Sequence, residues 1–318
     1  MKRILITGGS GFIGTHLSKF LIEQGHFVYC LDIKPPRFEH PNLIYIFYDI
    51  RDLKNLDISE PIDRIYNFAA VHTTPGHPTH EYYDTNISGA IEICSFASRL
   101  GISEMIFTSS ISVYGPNEEQ KDENSKLTPN SAYGYSKMLA ENIHKKWLAG
   151  DKNRKLTIVR PAVVFGKGEG GNFTRLARML QKGIFIYPGR KDTIKACIYV
   201  TDLIFLLEYA RSSQNQFELF NGAYPQRYTL QEIIETFINN HYPKAKTLLA
   251  PKFIVIFAAK LFGIFNVFNI GVHPDRVMKL IKSTNIYPLW LDNQGFTLKE
   301  DLTSALVRWS KETNGKFD

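Results

Sequence analysis

The run ITGGSGFIG, residues 6–14, constrains this chain more than any other part of its sequence. A short β-rich run, RILIT, comes directly before it, and an amphipathic helical run follows it. Gly8, Gly11 and Gly14 recur at every third position, so the turn between strand and helix carries few side chains. Such a turn lets the backbone approach a pyrophosphate, which the N–H groups at the start of the helix then bind. The run therefore predicts a dinucleotide-binding strand–turn–helix unit.

The pattern beyond the glycine run predicts a Rossmann-type α/β fold with a doubly wound parallel sheet. Short and almost continuously apolar runs alternate with helical runs, which is typical of parallel strands covered on both faces. The predicted strands are RILIT (3–7), FVYCLD (27–32), LIYIFYD (43–49), RIYNFAA (64–70), MIFTSS (105–110) and one that runs into a loop within LTIVRPAVVFG (156–166). Helices are predicted at 13–24 and 81–99, and a surface loop at 115–130. A last helix and strand within 197–223 return to the sheet.

A smaller, mostly helical C-terminal lobe is predicted from Tyr228 onward, and we assign substrate binding to it. The predicted Rossmann domain comprises residues 1–165 and 192–225, and the substrate lobe comprises 166–191 and 226–318. The run GKGEGGN at the start of the lobe has four glycines, so it is either a mobile active-site loop or a plain linker.

Composition and charge narrow the classes of function. The chain has 318 residues, of which 44% are hydrophobic, enough for a large core. Its net charge of +7 suits an anionic ligand or a membrane surface. Lysine and arginine form no dense block, so we do not expect nucleic-acid binding. Cys30, Cys94 and Cys197 are widely spaced in apolar contexts, which favours a reducing, cytoplasmic compartment over a disulfide framework or a metal site.

One apolar run, KFIVIFAAKLFGIFNVF at residues 252–268, allows two interpretations. Lys260, Gly263 and Asn266 interrupt it, so it falls short of the about 18 uninterrupted apolar residues of a membrane span. It is either a helix buried in the second lobe or a helix that lies on a membrane interface, with Lys252 and Lys260 at the headgroups.

Two carboxylates end predicted strands. Asp32 follows Gly14 by 18 residues and can accept hydrogen bonds from the hydroxyls of an adenosine ribose. It would repel a 2′-phosphate, so NAD is favoured over NADP, although Lys34 and Arg37 nearby weaken that preference. Asp49, in YDIRD, could bond an adenine amino group or cap a turn.

Residues 130–141, NSAYGYSKMLAE, place two tyrosines ahead of a lysine. A helix is predicted to begin near Ser131. Because residues four apart share a helix face, Tyr133 faces Lys137 and Tyr135 does not. The ammonium, together with the positive charge of an oxidised nicotinamide ring, would lower the pKa of the Tyr133 phenol from its usual value of about 10. Tyr133 is therefore a candidate general base, with Lys137 as its partner.

The run FTSSISVYG supplies a third candidate catalytic residue, Ser110. It lies at the C-terminal end of a predicted parallel strand, the edge where ligands bind in such sheets. Its hydroxyl could hydrogen-bond the substrate oxygen that Tyr133 deprotonates. Ser109 and Ser112 are alternatives for this role, and an ordinary turn serine is the other interpretation.

With these motifs the chain resembles the extended short-chain dehydrogenase/reductase family, in particular the NAD-dependent epimerases and dehydratases that act on nucleotide sugars. The matching runs are TGGSGFIG, Asp32, YDIRD, NFAA, FTSSISVYG, YGYSK and VRPAVVFG, in the family's order within residues 1–166. For NAD, the resemblance implies a pyrophosphate site of Gly8, Gly11, Phe12, Ile13 and Gly14, a ribose site at Asp32, an adenine site of Asp49 and Ile50, and a lining of Phe68, Ala69 and Ala70. It further implies that Tyr133 and Lys137 touch the nicotinamide ribose and carry the chemistry.

The resemblance is looser for the substrate. It implies substrate contacts for Ser110, for Asn172 on the diphosphate side, for Tyr187 against a nucleobase, and for Lys195. Tyr187 is otherwise a partly buried loop aromatic. Val163 stands where galactose epimerases have asparagine, Lys195 stands where they have arginine, and no R-x-G-D run occurs late in the chain. These departures leave the substrate open.

The leading interpretation is an NAD-dependent 4-epimerase of a nucleotide sugar, with a UDP-hexose favoured. The run Ser109–Ser112 contains no acid, whereas family dehydratases usually have one beside the substrate-binding Ser or Thr. The resemblance also implies a homodimer that pairs the helices near 81–99 and 133–148, and a role in polysaccharide biosynthesis. The alternatives are a reductase of a 4-keto nucleotide sugar, a dehydrogenase of a sterol-like alcohol, and a non-catalytic NAD-binding regulator. Such regulators often lose the tyrosine or lysine that this chain keeps.

Overall fold

A computed structural model describes residues 1–74, 76–251, 253, 281–298 and 300–318 of the chain. Its internal contacts divide the chain into two compact units. The first unit comprises Met1–Gly115, Lys126–Pro161 and Leu203–Gly222, and the second comprises Pro116–Ser125, Ala162–Asp202 and Ala223–Asp318. These units are defined by contacts, and the assignment of cofactor binding and substrate binding to separate domains stays a prediction.

Strands and helices alternate along most of the described residues. The strands are β1 (Arg3–Thr7), β2 (Phe27–Asp32), β3 (Leu43–Phe47), β4 (Arg64–Asn67), β5 (Glu104–Thr108), β6 (Asn117–Lys121), β7 (Lys155–Pro161), β8 (Val163–Phe165), β9 (Ile184–Pro188), β10 (Cys197–Tyr199), β11 (Phe217–Gly222), β12 (Lys246–Ala250) and β13 (Thr284–Ile286). The helices are α1 (Phe12–Glu23), α2 (Thr79–Tyr83), α3 (Gly89–Arg99), α4 (Ala132–Ala149), α5 (Asn172–Gln181), α6 (Val200–Ser212), α7 (Leu230–Asn240), α8 (Leu289–Asn293) and α9 (Leu302–Glu312). A π-helical turn, Asp84–Ser88, joins α2 to α3, and a 3₁₀ turn, Ile111–Tyr114, follows β5.

A seven-stranded sheet forms the centre of the first unit, in the order β3-β2-β1-β4-β5-β7-β11. All of its strand pairs are parallel. The chain winds outward in both directions from β1, so the ends of β1 and β4 lie at the point where the strand order reverses. Ligands bind at this point in doubly wound sheets. The predicted Rossmann-type sheet is confirmed.

One face of this sheet packs against α3 and α4. The buried cluster includes Leu5, Ile65, Met105 and Leu156 from the strands, Ile93 and Phe96 from α3, and Ala140 and Trp147 from α4. Because parallel strands are buried on both faces, their sequences are nearly continuous apolar runs, as observed in β1 and β5. The packing fixes α4, which carries the predicted catalytic pair, against the strands that end at the ligand edge.

The described residues of the second unit form three small parallel sheets, β8 with β10, β9 with β12, and β6 with β13. Phe165 of β8 stacks on Phe173 of α5 with ring centroids 4.3 Å apart. Trp309 of α9 packs against Phe165 and Phe317, and all three side chains are buried. These aromatic contacts give the unit a core of its own.

Two sequence-based expectations about elements were wrong. The run 156–166, expected to be one strand running into a loop, is two strands, because Pro161 has no N–H to continue the ladder and β8 pairs with β10 instead. The expected loop 115–130 contains β6, whose polar sequence NEEQK gives no apolar pattern and which forms by pairing with β13. The mostly helical C-terminal part also contains β12 and β13.

The predicted interfacial or buried helix at 252–268 lies outside the described residues, apart from Phe253. Within the described part of the chain, no helix has both the length and the apolar character needed to cross a bilayer.

Candidate active site

The glycine run forms a close turn between β1 and α1. Gly8 has φ +68°, and a Cβ there would stand 2.7 Å from the backbone nitrogen of Ala69. A Cβ on Gly14 would meet the carbonyl oxygen of Gly8 at 2.5 Å. Gly11 is the N-cap of α1 and offers no side chain to the N–H groups of the first turn, where Phe12 and Ile13 lie. The turn therefore leaves a helix N-terminus open to an anion such as a pyrophosphate.

Asp32 lies beside this turn, at the end of β2. One carboxylate oxygen accepts a hydrogen bond from the Ser10 backbone nitrogen at 3.1 Å, and the other accepts one from Lys34 N at 3.0 Å. Arg37 donates from Nε to the Ser10 carbonyl oxygen at 3.0 Å, so its guanidinium also lies close to the glycine turn. The turn fixes the carboxylate beside the predicted ribose position, and the roles of Asp32 and Arg37 toward a cofactor remain predictions.

The segment after β4 approaches the glycine turn from the other side. Phe68, Ala69 and Ala70 are half-buried there, and Ala69 N donates to Thr7 Oγ1 at 3.4 Å. The structure thus places the predicted cofactor lining directly against Gly8, at the reversal point of the sheet.

Asp49 and Ile50, predicted to hold adenine, follow β3. The Asp49 carboxylate accepts bidentate hydrogen bonds from the Arg51 guanidinium, with Arg51 Nη2 at 2.6 Å from Asp49 Oδ2. These hydrogen bonds hold the pKa of Asp49 below its usual value. Ile50 is buried and would touch a Cβ on Gly89. A bond from adenine to Asp49 would therefore have to compete with or add to the Arg51 contact.

Helix α4 presents Tyr133 and Lys137 on one side. Its N-cap is Ser131, whose hydroxyl accepts from Gly134 N at 3.1 Å. Lys137 is buried and Tyr133 is half-buried, whereas Tyr135 is 45% exposed. The Ser110 side chain lies near enough to the Tyr133 phenol to act on its pKa. The structure thus places Tyr133 and Lys137 one helical turn apart on α4 and leaves Tyr135 exposed.

Burial is the largest cause of the pKa shifts of Tyr133 and Lys137. It raises the pKa of Tyr133 to about 12, although the Ser110 side chain acts in the opposite direction. It lowers the pKa of Lys137 to about 7, against the raising influence of the Glu141 carboxylate. The expectation of a lowered Tyr133 pKa counted the charge of a bound nicotinamide ring as well as the ammonium. The chain's own groups shift that pKa the other way, because removing a phenolate from water outweighs the influence of Ser110.

The three serines after β5 have different partners. Ser109 donates to Glu141 Oε1 at 2.6 Å and is buried. Ser110 caps the 3₁₀ turn, accepting from Ser112 N at 3.1 Å, and its hydroxyl donates to Ser112 Oγ at 3.1 Å. Of these three serines, Ser110 is the one that acts on the pKa of Tyr133. This geometry favours Ser110 as the substrate-facing serine.

Sequence reasoning missed a buried ion pair beneath these residues. Arg160 of β7 donates two hydrogen bonds to Glu141 of α4, from Nε to Oε1 at 2.8 Å and from Nη2 to Oε2 at 2.7 Å. Arg160 Nη1 also donates to the Tyr114 hydroxyl at 2.7 Å, which donates to Asn221 Oδ1 at 2.9 Å. The pair thus links α4, the 3₁₀ turn, β7 and β11. Its signals were an acid four residues after Lys137 and an arginine inside the apolar run IVRPA.

Phe107 of β5 was also missed. Lys137 Nζ lies 4.4 Å from the centroid of the Phe107 ring, and the His144 ring stacks on Phe107 at 3.9 Å. Burial lowers the pKa of His144 to about 4, so the imidazole is neutral at physiological pH. The aromatic ring and the Glu141 carboxylate therefore both favour the charged form of Lys137.

The predicted substrate residues Asn172, Tyr187 and Lys195 all belong to the second unit. Asn172 is exposed at the start of α5, and its Oδ1 accepts from Arg175 at 2.8 Å. Lys195 donates to the Lys282 carbonyl oxygen at 2.6 Å, and burial lowers its pKa to about 8. Tyr187 lies in β9, not in a loop, and is 1% exposed. Stacking on a nucleobase would require its ring to become accessible.

Comparison with known proteins places these features in a family context. The family model described as "NAD dependent epimerase/dehydratase family" matches residues 4–221. The chain is similar to an N-acetyl-alpha-D-glucosaminyl-diphospho-ditrans,octacis-undecaprenol 4-epimerase of Escherichia coli O157:H7, with 28% identity over 311 residues, 96% of this chain and 93% of the relative. It is also similar to a UDP-glucose 4-epimerase of Neisseria meningitidis serogroup C, with 32% identity over 192 residues, 54% of this chain and 56% of the relative.

Among solved structures, one titled "MoeE5 in complex with UDP-glucuronic acid and NAD" aligns with a TM-score of 0.76. Its identity is 21%, and the alignment covers 98% of this chain and 99% of that chain. At this identity the likeness concerns the fold.

Proposed function

Because the chain belongs to the NAD-dependent epimerase/dehydratase family, we propose that it is an NAD-dependent 4-epimerase of a nucleotide sugar. The observation that carries the proposal is the group of Tyr133, Ser110 and Lys137 at the edge of a doubly wound sheet, beside a glycine turn that fits a pyrophosphate. The UDP-sugar named for the Neisseria relative supports the substrate class.

The residues of the first unit fit NAD. A Cβ on Gly8 or Gly14 would collide with neighbouring backbone, so only glycine allows this close turn. Gly11 leaves the N-terminus of α1 without a side-chain cap, and two backbone N–H groups fix Asp32 beside the turn. Bound NAD would supply reversible hydride acceptance from the sugar carbon. The proposed adenine contacts are Asp49 and Ile50, and the proposed lining is Phe68, Ala69 and Ala70.

Each of the three proposed catalytic residues has its own role in the transfer of the proton: Tyr133, Ser110 and Lys137. Tyr133 removes the proton of the C4 hydroxyl and returns it after the sugar has turned its other face. Ser110 donates a hydrogen bond to the C4 oxygen and holds it against Tyr133. The buried Lys137 ammonium favours the phenolate, and its own charge is supported by Glu141 and Phe107.

The residues beside Ser110 favour epimerisation over dehydration. Ile111 follows Ser110 and is buried, and Ser112 is bonded to Ser110. Elimination of water needs a group that protonates the departing hydroxyl. The run Ser109–Ser112 supplies no carboxylic acid for that step.

A sugar carried on a polyprenyl diphosphate is a second candidate substrate. The observation that favours it is the match to the Escherichia coli undecaprenol-linked epimerase, which extends over 96% of this chain, whereas the UDP-glucose 4-epimerase match covers 54%. Both substrates present a diphosphate and a C4 hydroxyl, so the first unit would act on them alike. Asn172 and Lys195 are the proposed diphosphate contacts, and Tyr187 is the proposed base contact for a nucleotide.

The test is incubation of the purified protein, without added cofactor, with UDP-sugars and with the corresponding polyprenyl-diphosphate sugars. The expected product is the C4 epimer, with no net change in nicotinamide absorbance because the hydride returns to the sugar. Net formation of reduced cofactor would favour the reductase or dehydrogenase alternative. Absence of turnover on both substrate panels by a protein that retains NAD would contradict the proposal.

The proposal includes a homodimer formed through α3 and α4. Ile91 of α3 and Leu139 of α4 are 48% and 39% exposed, and Leu139 lines a surface hollow with Ile87 and Ile143. Light scattering should give the mass of a dimer, and Leu139→Glu should give a monomer. A monomeric wild type would contradict this part. A cytoplasmic location and a role in polysaccharide biosynthesis belong to the same proposal, supported by the free, buried cysteines and the family.

A further inference from the structure

The sheet of β9 and β12 in the second unit exposes an apolar face. Its outward side chains are Ile184, Ile186, Lys246 and Leu248, which we call the β9–β12 face. Ile184, Ile186 and Leu248 are 52%, 48% and 57% exposed. The alternate residues of β9, Phe185 and Tyr187, are buried. This alternation is the two-residue period of a strand with one covered side.

The exposed apolar residues of this face adjoin one another. Ile184 and Ile186 lie two residues apart on β9, and Leu248 of β12 is paired with Ile186. Isolated apolar side chains on a surface are ordinary, but a contiguous group of them marks a contact surface. Ile184, Ile186 and Leu248 form such a group.

Lysines gather at the edge where both strands begin. Because β9 and β12 are parallel, with Ile184 opposite Lys246, their first residues lie side by side. Lys182 precedes β9 by two residues, Lys244 precedes β12 by two, and both are exposed. Lys246 N donates to the Gly183 carbonyl oxygen at 2.9 Å, which ties the two edges together. The surface therefore has a cationic edge and an apolar interior.

Acidic residues are absent from the segments that build this surface. Residues 170–191 and 236–251 contain no aspartate and no glutamate. Glu235, at the border of the second segment, acts on Tyr187, which belongs to the buried side of β9. Nothing within the two segments neutralises the lysine edge.

We propose that the β9–β12 face docks on an anionic phospholipid bilayer, with Lys182, Lys244 and Lys246 at the phosphate headgroups and the apolar side chains at the acyl boundary. Cationic residues beside exposed apolar ones are the chemistry of such interfacial contact. The docking goes beyond the proposed function and holds for either substrate.

Charge argues against two other occupants. A second copy bound about a two-fold axis would bring the same three lysines into the contact and no acid from these segments to pair with them. The chain's own residues 254–280 carry Lys260, Arg276 and Lys279 against the single acid Asp275, so they do not complement the lysines. An anionic bilayer is the occupant that complements both the charge and the apolar surface.

The first experiment is co-sedimentation of the full chain with phosphatidylcholine vesicles, with and without roughly one-third phosphatidylglycerol. Binding is expected only with the anionic lipid and should weaken as salt rises. Each lysine near such a surface contributes roughly fivefold in partitioning, so Lys182→Gln/Lys244→Gln/Lys246→Gln should weaken binding about 100-fold. Ile186→Ser/Leu248→Ser should weaken binding at every salt concentration.

The matched control is Lys54→Gln/Lys126→Gln/Lys152→Gln, which removes the same charge from exposed lysines of the first unit. It should bind within a fewfold of the wild type. Equal losses in both triple variants would overturn the proposal, since they would indicate attraction by net charge alone. Equal binding to neutral and anionic vesicles, or no binding to either, would overturn it as well.

A second experiment identifies the occupant. The native cysteines are buried, so Leu248→Cys can carry a single environment-sensitive fluorophore, with Lys152→Cys as control. Anionic vesicles should shift the emission of the Leu248→Cys label to shorter wavelength and leave the control unchanged. A shift that depends on protein concentration without lipid would assign the surface to a second copy. A thiol that stays unreactive in folded protein would assign it to the chain itself.

Discussion

The polar groups around α4 in the first unit are buried and bonded to one another, whereas the apolar groups of the β9–β12 face in the second unit are exposed. Around α4, Arg160, Glu141 and Ser109 satisfy one another at distances of 2.6–2.8 Å. On the β9–β12 face, Ile184, Ile186 and Leu248 are about half exposed. The first region completes its contacts within the chain and so fixes a geometry for chemistry. The second leaves apolar side chains exposed, which is the property of a contact surface.

The largest expected effect is that of removing the Tyr133 hydroxyl from the buried polar site in the first unit. Tyr133→Phe removes the only proposed base, and general base catalysis is worth about 10²–10⁴-fold. We therefore expect kcat for epimerisation to fall by roughly 10³-fold. Nucleotide retention should persist, since the glycine turn is untouched. Tyr135→Phe, at the exposed tyrosine two residues on, should keep wild-type kcat. A Tyr133→Phe enzyme with substantial activity would remove Tyr133 from the mechanism.

The next largest effect concerns the ion pair beneath the site. Glu141→Gln leaves Arg160 charged and unpaired in a buried position, which should lower the free energy of unfolding by about 3–5 kcal/mol. The double variant Glu141→Gln/Arg160→Gln removes both charges and should be less destabilised than the single variant. Urea denaturation measures both.

Glu208→Gln is the control for that prediction. It breaks the Arg211 contact at 2.9 Å, in which both side chains are partly exposed, so the expected loss is about 1 kcal/mol. If Glu141→Gln costs no more than Glu208→Gln, the pair does not hold α4 to β7 and the 3₁₀ turn.

Local geometry explains which parts of the first unit could be predicted from sequence. Gly8 and Gly14 occupy positions where a Cβ would clash, and Tyr133 and Lys137 are four residues apart on one helix, so both patterns are visible in the sequence. The choice of Ser110 over Ser109 depends on Glu141, 32 residues away from Ser109. The direction of the Tyr133 pKa depends on burial. Neither property is encoded in a short run of residues.

The second unit was less predictable because its elements depend on partners distant in sequence. The strand NEEQK has no apolar alternation and exists through its pairing with β13. Tyr187, for which a loop aromatic was the alternative interpretation, lies in a strand that pairs with β12. The contacts of Asn172, Tyr187 and Lys195 with a substrate remain predictions.

The pH dependence of the free energy of unfolding tests whether the Lys137 ammonium is buried. Its pKa is about 7 in the folded protein and about 10.4 in an unfolded chain. Between these values the unfolded chain binds more protons, so stability rises with pH. This gain in the free energy of unfolding is fully present above about pH 10 and is lost as pH falls toward 7. Relative to Lys137→Met, nucleotide-free wild type should gain of order 1 kcal/mol per pH unit between pH 7 and 9.

Lys146→Met is the control for that measurement, because Lys146 is exposed on the same helix. Its stability difference from wild type should not change with pH over the same range. A Lys137→Met difference that is equally flat would mean that Lys137 is hydrated and charged throughout, and that Phe107 and Glu141 do not face a buried ammonium.

The smallest effect belongs to Lys195 in the second unit, where a lysine replaces the arginine found in galactose epimerases. If its ammonium binds a substrate diphosphate, Lys195→Met removes one charge-assisted contact, worth about 1.5–3 kcal/mol. We expect KM to rise at least roughly tenfold, with kcat nearly unchanged because the contact is remote from C4. Lys195→Arg should restore most of the affinity for either a nucleotide or a polyprenyl diphosphate. Loss of stability without a change in KM would instead assign Lys195 to its bond with the Lys282 carbonyl, a contact internal to the second unit.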